Sequence, residues 1–398
     1  MNKQSLLSLP PLSLYVHIPW CIKKCPYCDF NSHTSNNIPE AEYTRRLIQD
    51  LQQESQLIAG RKLQSIFFGG GTPSLFSAKS IGKIISAAEK TIGFAPGIEI
   101  TLEANPGTFE QDKFTDFFNA GANRLSIGIQ SFKPSHLKIL GRVHSGDEAI
   151  RSLEIANRAG FNNINIDLMH GLPQQTVDDA SADIRQAITL GPQHISWYQL
   201  TIEPNTVFYK QPPPLPADDQ LADIQDSGMH LLAEHGYHQY EISAFSQKNR
   251  HSKHNTNYWS FGDYIGIGAG AHGKFTDVFN KQIIRRQKTR KPEDYLNENL
   301  SKDLDASLKS SPRNMPSFKD TIVPQDELTL EFLMNALRLN NGVPKNIFES
   351  YTGLSLDILD AALKPLIRQG LIAPIDKQIK TTELGQRFLN TVLTRLTS

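Results

Sequence analysis

All three cysteines of this 398-residue chain, Cys21, Cys25 and Cys28, fall within eight consecutive residues as a C-x3-C-x2-C run. The run sits in Tyr-Val-His-Ile-Pro-Trp-Cys-Ile-Lys-Lys-Cys-Pro-Tyr-Cys-Asp-Phe at 15–30. Three thiolates so spaced can converge on one soft metal centre. A structural zinc ion takes four protein ligands, whereas a cubane iron–sulfur cluster takes one ligand per iron. Three cysteines on a four-iron cluster leave one iron without a protein ligand, and an open metal position is where chemistry happens. The loop is therefore expected to hold a [4Fe-4S] cluster beside a site for a small chelating molecule. A zinc knuckle completed by His17 or His33 is the competing expectation. An odd count and tight spacing argue against a disulfide framework.

The chelator that suits an open iron is S-adenosylmethionine, whose amino and carboxylate groups can both reach the metal. Gly-Gly-Gly-Thr-Pro at 69–73 would let backbone polar groups approach such a zwitterion closely. Glu103 and Asp167 can bond ribose hydroxyls or the amino group, Arg142 can pair with the carboxylate, and Tyr27 can stack on adenine.

These residues need a scaffold, and the hydrophobic pattern supplies one. Apolar strands are predicted at 12–19, 63–68, 98–104, 124–130, 163–169 and 194–202. Helical periodicity lies between them at 41–58, 78–91, 111–119, 147–159 and 177–189. Six strands alternating with helices imply an α/β fold, a parallel sheet closing into a partial (β/α)6 barrel. Reactive residues in such barrels sit at the C-terminal ends of strands. Those ends carry the cysteine run, residues 70–72, Glu103, Gln130, Asp167 and Glu203.

A stiff Pro-Pro-Pro-Leu-Pro at 212–216 follows, then a helix at 218–234 and a strand at 240–244. Gly-Ala-Gly-Ala-His-Gly at 268–273 matches G-x-G-x-x-G, but no clear helix and second strand follow, so a close-packed turn is expected. Residues 281–291 hold six Lys/Arg and no acid. This run is expected to be a solvated face that could meet acidic head groups, as on a peripheral membrane surface, or propionates. Residues 301–323 are linker-like. From 324 the pattern becomes helices (328–339, 345–351, 356–369), a hairpin at 371–379 and a last helix to about 396, a winged-helix-like module. The expected organisation is 1–210 for the barrel, 211–300 for an extension and 324–398 for the C-terminal domain.

Lys+Arg and Asp+Glu are both 41, so no global attraction to nucleic acid arises. Residues 324–398 hold eight of each, with no basic stripe. Reduced cysteines and a poor N-terminal signal sequence give the cytoplasm as the expected location.

The ordered motifs resemble the radical SAM superfamily and, within it, the HemW heme chaperone family, itself similar to oxygen-independent coproporphyrinogen III dehydrogenase (HemN). They are the cysteine run, residues 69–73, Leu-Glu-Ala-Asn-Pro-Gly at 102–107, Arg-Leu-Ser-Ile-Gly-Ile-Gln-Ser-Phe at 124–132, Asn-Ile-Asp-Leu-Met-His-Gly-Leu-Pro at 165–173 and His-Asn-Thr-Asn-Tyr-Trp at 254–259. The resemblance implies cluster ligation by Cys21, Cys25 and Cys28. It implies that Tyr15, Tyr27, Gly70, Gly71, Thr72, Glu103, Gln130, Arg142 and Asp167 surround S-adenosylmethionine. The dehydrogenase continues its loop as C-x3-C-x2-C-x-C, whereas Phe30 stands at the fourth position here, and it carries a longer N-terminal arm. Both departures favour a chaperone that binds heme and passes it to an acceptor protein over a radical SAM oxidoreductase acting on a tetrapyrrole. His254 is the expected heme ligand. An electron donor and a homodimer are further expected partners.

Overall fold

Apolar runs punctuated by glycine and proline turns build one long sheet. The computed structural model describes residues 7–35, 37–107, 111–297 and 318–396. Strands β1 (Leu12–Ile18), β2 (Leu63–Gly70), β3 (Phe94–Ala104), β4 (Arg124–Gln130), β5 (Ile164–His170) and β6 (His194–Gln199) stand side by side in chain order. Every neighbouring pair among them is parallel. Between them run α1 (Glu40–Glu54), α2 (Ala78–Thr91), α3 (Phe114–Asn119), α4 (Gly146–Arg158) and α5 (Val177–Leu190). Parallel strands covered on both faces must be apolar on both faces, and β1 buries Leu12, Leu14, Val16 and Ile18. α1 covers the sheet with Tyr43, Leu47 and Leu51, and α2 with Ile81, Ile84 and Ala88. Capping boxes start two of the helices, Ser145 with Glu148 on α4 and Thr176 with Asp179 on α5.

The barrel is open, as expected of a partial one. β6 pairs antiparallel with β8 (Ala244–Ser246), which pairs with β7 (His238–Glu241) at the sheet edge. On the other side β1 takes β9 (Asp263–Ile267) in parallel, followed by antiparallel β10 (His272–Asp277), β11 (Gln282–Lys288) and β12 (Phe318–Ile322). Helices α6 (Asp218–Glu234) and α7 (Lys253–Trp259) precede this outer part. No helix among the described residues is long and apolar enough to cross a membrane.

Several sequence expectations are corrected. The strand expected at 240–244 is two short strands, β7 and β8. The glycine motif, by contrast, is the close-packed turn expected, joining β9 to β10 strand to strand. Gly268 has φ +103° and lies so close to β1 that a Cβ would stand 2.3 Å from the His17 carbonyl oxygen. The basic run is a solvated face only in part: Lys281, Arg290 and Lys291 are exposed, while its middle is built into the sheet. It forms β11, whose Lys288 is 1 % exposed and bonds Asp50 and Glu54 of α1, each at 2.6 Å. Arg286 bonds Glu54 at 2.8 Å and Asp320 on β12 at 2.7 Å. Arg286 and Lys288 are thus spent inside the molecule. Of the expected linker, 301–317 lies outside the described residues and the remainder forms β12.

The C-terminal part packs α8 (Leu328–Ala336), α9 (Asn346–Thr352) and α10 (Leu356–Arg368) around a second core of Phe332, Leu333, Phe348, Leu359 and Leu363. Tyr240 and Phe261 enter the same core, so it grows out of the outer sheet. The hairpin expected at 371–379 is replaced by a two-residue pairing of Val343–Pro344 with Gln378–Ile379 and a single bridge between Ile372 and Thr381.

Candidate functional site

The C-terminal ends of the six parallel strands surround a cavity of about 580 Å³, within the range of small-ligand sites. All three cysteines line it, as do Tyr27, Gly70, Gly71, Thr72, Glu103, Gln130, Arg142, Asp167 and Glu203. The thiols are free and partly buried. Burial pushes the Cys21 and Cys28 thiols up, so the empty loop disfavours thiolate charge and a bound cation would reverse that.

Backbone geometry sets the cysteine loop against the glycine loop. The Gly71 N–H donates to the Ile18 carbonyl at 2.8 Å and the Thr72 N–H to the Trp20 carbonyl at 2.7 Å. At Gly71 a Cβ would lie 2.5 Å from the Trp20 oxygen, so only glycine permits this approach. Gln130 ends β4 with φ +70°, a left-handed conformation costing about 1–2 kcal/mol in a non-glycine residue. Its side chain accepts from the Tyr198 hydroxyl at 2.8 Å.

Arg142 reaches in from beyond β4. It donates to Asn105 Oδ1 at 2.5 Å and to the Gly128 carbonyl at 2.6 Å, and lies 3.7 Å from Cys25 Sγ. Its buried Nε–H has no acceptor in the protein. Of the four carboxyl residues that line the cavity, Asp29, Glu103, Asp167 and Glu203, two are shifted by burial. Burial and the nearby Asp167 push Glu103 up to about 8, and burial raises Asp167 as well. Asp167 is held by Asn165 at 2.8 Å and Ser126 at 3.3 Å. A cavity with two strained acids, three thiols and an unsatisfied guanidinium donor suits a ligand carrying both cationic and anionic groups beside a metal.

The donor set bears on the choice between zinc and a cluster. His17 is fully engaged, Nδ1 with the Tyr15 hydroxyl at 2.9 Å and Nε2 with the Asn31 carbonyl at 2.9 Å. His33 does not line the cavity. Among the described residues, no three His, Cys, Asp or Glu side chains gather to hold a single ion.

Two candidates lie elsewhere. Tyr15 lines a second cavity of about 590 Å³, which shares Gly70, Glu103 and Phe30 with the first. His254 lies behind both, 1 % exposed. Its Nδ1 is 2.9 Å from Ser65 Oγ and its Nε2 is 3.1 Å from the Tyr258 hydroxyl. Burial brings it down to about 3, so the ring is neutral. Iron could reach it only if one of these bonds broke and Tyr258 moved. Sequence reasoning missed Asn105, Ser126 and Tyr198 as cavity residues. Asn105 carried a signal, since it opens the Asn-Pro-Gly turn directly after β3.

The radical SAM superfamily model matches residues 15–187, and the HemN C-terminal domain model matches 323–388. The chain is 49% identical over 390 residues to the heme chaperone HemW of Haemophilus influenzae, covering 97% of both chains. It is 45% identical over 389 residues to the heme chaperone HemW of Escherichia coli, covering 98% of both. With that of Bacillus subtilis it shares 35% identity over 389 residues, 96% of this chain and 97% of the relative. Its fold matches coproporphyrinogen III oxidase (HemN) of Escherichia coli, a radical SAM enzyme, with a TM-score of 0.78. That match covers 98% of this chain and 90% of the other at 23% identity, and speaks for the fold alone.

Proposed function

This chain belongs to the HemW heme chaperone family of the radical SAM superfamily, and on that premise we propose that it binds heme and hands it to an acceptor protein. In this reading Cys21, Cys25 and Cys28 hold a [4Fe-4S] cluster, and Gly70, Gly71, Thr72, Glu103, Gln130, Arg142, Asp167 and Tyr27 hold S-adenosylmethionine. The observation that carries it is the collection of all three thiols with Glu103, Asp167 and Arg142 in one cavity, in a chain that aligns end to end with heme chaperones. Cluster and S-adenosylmethionine together supply one-electron chemistry. The protein's share is to orient and shelter. Arg142 offers its free Nε–H to a carboxylate, the carboxyl pair faces the cationic groups, and the glycine loop lets backbone approach. Phe30, 59 % exposed, borders the two cavities where the dehydrogenase pattern has a fourth thiol.

The reading is tested by loading anaerobically reconstituted protein with hemin, then mixing it with an excess of an apo heme protein. Uptake in near one-to-one ratio followed by a Soret shift to the acceptor's spectrum is the expected result. Absence of hemin uptake by cluster-loaded protein would reject it.

Glu103 gives this site a pH signature. The carboxyl group is neutral below about pH 8, and its ionised form favours a cation beside it. Affinity for S-adenosylmethionine should therefore rise with pH through about 7–8 and level off above that value. Glu103→Gln should abolish this component and weaken binding about tenfold, as loss of a charged hydrogen-bond partner does. Anaerobic calorimetry at several pH values checks it, and parallel profiles for the two proteins would remove Glu103 from the ligand's surroundings.

A further inference from the structure

The second cavity, of about 590 Å³, lies between four parts of the molecule. One wall is the face of the outer sheet, where His272 and Lys274 on β10 stand opposite Gln287 and Arg285 on β11. Tyr258 and Trp259 of α7 form another wall, with Asn335 of α8 and Phe30 at the rim. The cavity opens beside the cysteine-lined one, sharing Gly70, Glu103 and Phe30 with it.

Its chemistry is one-sided. Arg290 forms no ion pair among the described residues. Arg285 binds Glu331 through Nη2 and also hydrogen-bonds Tyr264, while its Nε–H is buried without an acceptor among the described residues. The indole N–H of Trp259 is likewise buried and unpaired. A buried donor left unmatched costs free energy that a ligand's acceptor would recover. Lys274 is already satisfied by Asp263 at 3.0 Å and the Phe261 carbonyl at 3.1 Å. The donors at hand are thus two guanidinium groups and an indole, set beside the rings of Tyr258 and Tyr264, which line the cavity and pack edge to face with centroids 4.2 Å apart. His272 is exposed on its strand. Burial with Arg285 and Arg290 lowers its proton affinity, so its imidazole is neutral, the form that binds iron.

The geometry points to this cavity as the heme seat, with His272 as the iron ligand and Arg285 and Arg290 receiving the propionates. The inference rests on the heme-chaperone reading above and adds where the heme sits. A planar aromatic macrocycle with two carboxylates and a metal is what an aromatic wall, surplus donors and a free imidazole together select. It would place the heme edge next to the cluster cavity, separated by Gly70, Glu103 and Phe30. It also gives Tyr258 and Trp259 a direct role as wall residues, and leaves His254 behind them as the buried group that fixes Tyr258.

Full-length reconstituted protein is titrated with hemin and with hemin dimethyl ester, as wild type, His272→Ala, Arg290→Ala and His254→Ala. Thermal melts and cluster absorbance confirm folding. His272→Ala is expected to shift the Soret band and ferric spin state and to weaken hemin about tenfold. Arg290→Ala is expected to weaken hemin about tenfold while leaving the dimethyl ester unchanged, since only the free propionates meet the guanidinium. A His272→Ala spectrum and affinity equal to wild type overturn the inference while the chaperone reading stands. Loss of iron ligation in folded His254→Ala with retention in His272→Ala does the same and moves the ligand to His254. No hemin uptake by the wild type overturns both.

Discussion

Replacing Cys25 with serine is expected to strip the reconstituted protein of its broad visible absorption and to drop its iron to near background. Three cysteines supply one ligand each to three of a cubane's four irons, so losing one leaves two corners unsupported. The same holds for Cys21 and Cys28, and no other cysteine exists to substitute. Fold stability should scarcely change. All three side chains are partly exposed on a loop in the metal-free chain, and surface changes of this kind stay within about 0.5 kcal/mol. Separation of the two readouts matters: metal lost with the melting curve kept places the effect at the site. Iron content in Cys25→Ser equal to wild type would mean that the cluster, if any, is held elsewhere.

The largest stability effect is expected far from the thiols. Lys288 on β11 is fully buried between Asp50 and Glu54 of α1. Asp50 also accepts from the Tyr295 hydroxyl at 2.7 Å and the Gly268 N–H at 3.2 Å. Through these bonds the network ties α1, the β9–β10 turn and the outer sheet to one another. Removing one partner of a buried pair strands the opposite charge, at a cost of about 3–5 kcal/mol. Lys288→Met should destabilise by that amount in urea denaturation, because Asp50 loses its ammonium partner and Glu54 keeps only Arg286 of its two cations among the described residues. Lys288→Met combined with Asp50→Asn and Glu54→Gln should recover much of the loss, since no net charge then stays buried. A single-mutant change below about 1 kcal/mol would show that water reaches these carboxylates.

This network also shows where reading the sequence stops. Six Lys/Arg with no acid looked like a solvated stretch, because the acids that bury Arg286 and Lys288, Asp50 and Glu54, stand more than 200 positions earlier in the chain. Charge compensation over such separations leaves no local pattern. The barrel strands were legible because parallel strands are apolar on both faces and end at glycine, proline or a polar residue. β4 matches its expected span, and so do α2 and α6. β6 was read three residues too long, since the apolar Leu200 and Ile202 continue past Gln199 without joining the sheet. Motif and strand-end position led to twelve residues that line one cavity, because position at a strand's C-terminal end is a one-dimensional property. Tyr15, within β1, lines the adjoining cavity beside Glu103 instead. Motif reading named His254 for a ligand role that needs an open face, and burial is set by α7 packing on β1 and β2, which the motif does not encode.

The most direct test of the central claim is spectroscopic. Anaerobically reconstituted, reduced protein is frozen with and without S-adenosylmethionine labelled at its amino nitrogen, and its electron paramagnetic resonance and nitrogen couplings are recorded. A four-iron signal that changes shape and gains coupling to the label is the predicted result, because one iron has no protein ligand. A colourless protein with one tightly held zinc, or a cluster signal indifferent to the added compound, would contradict the account.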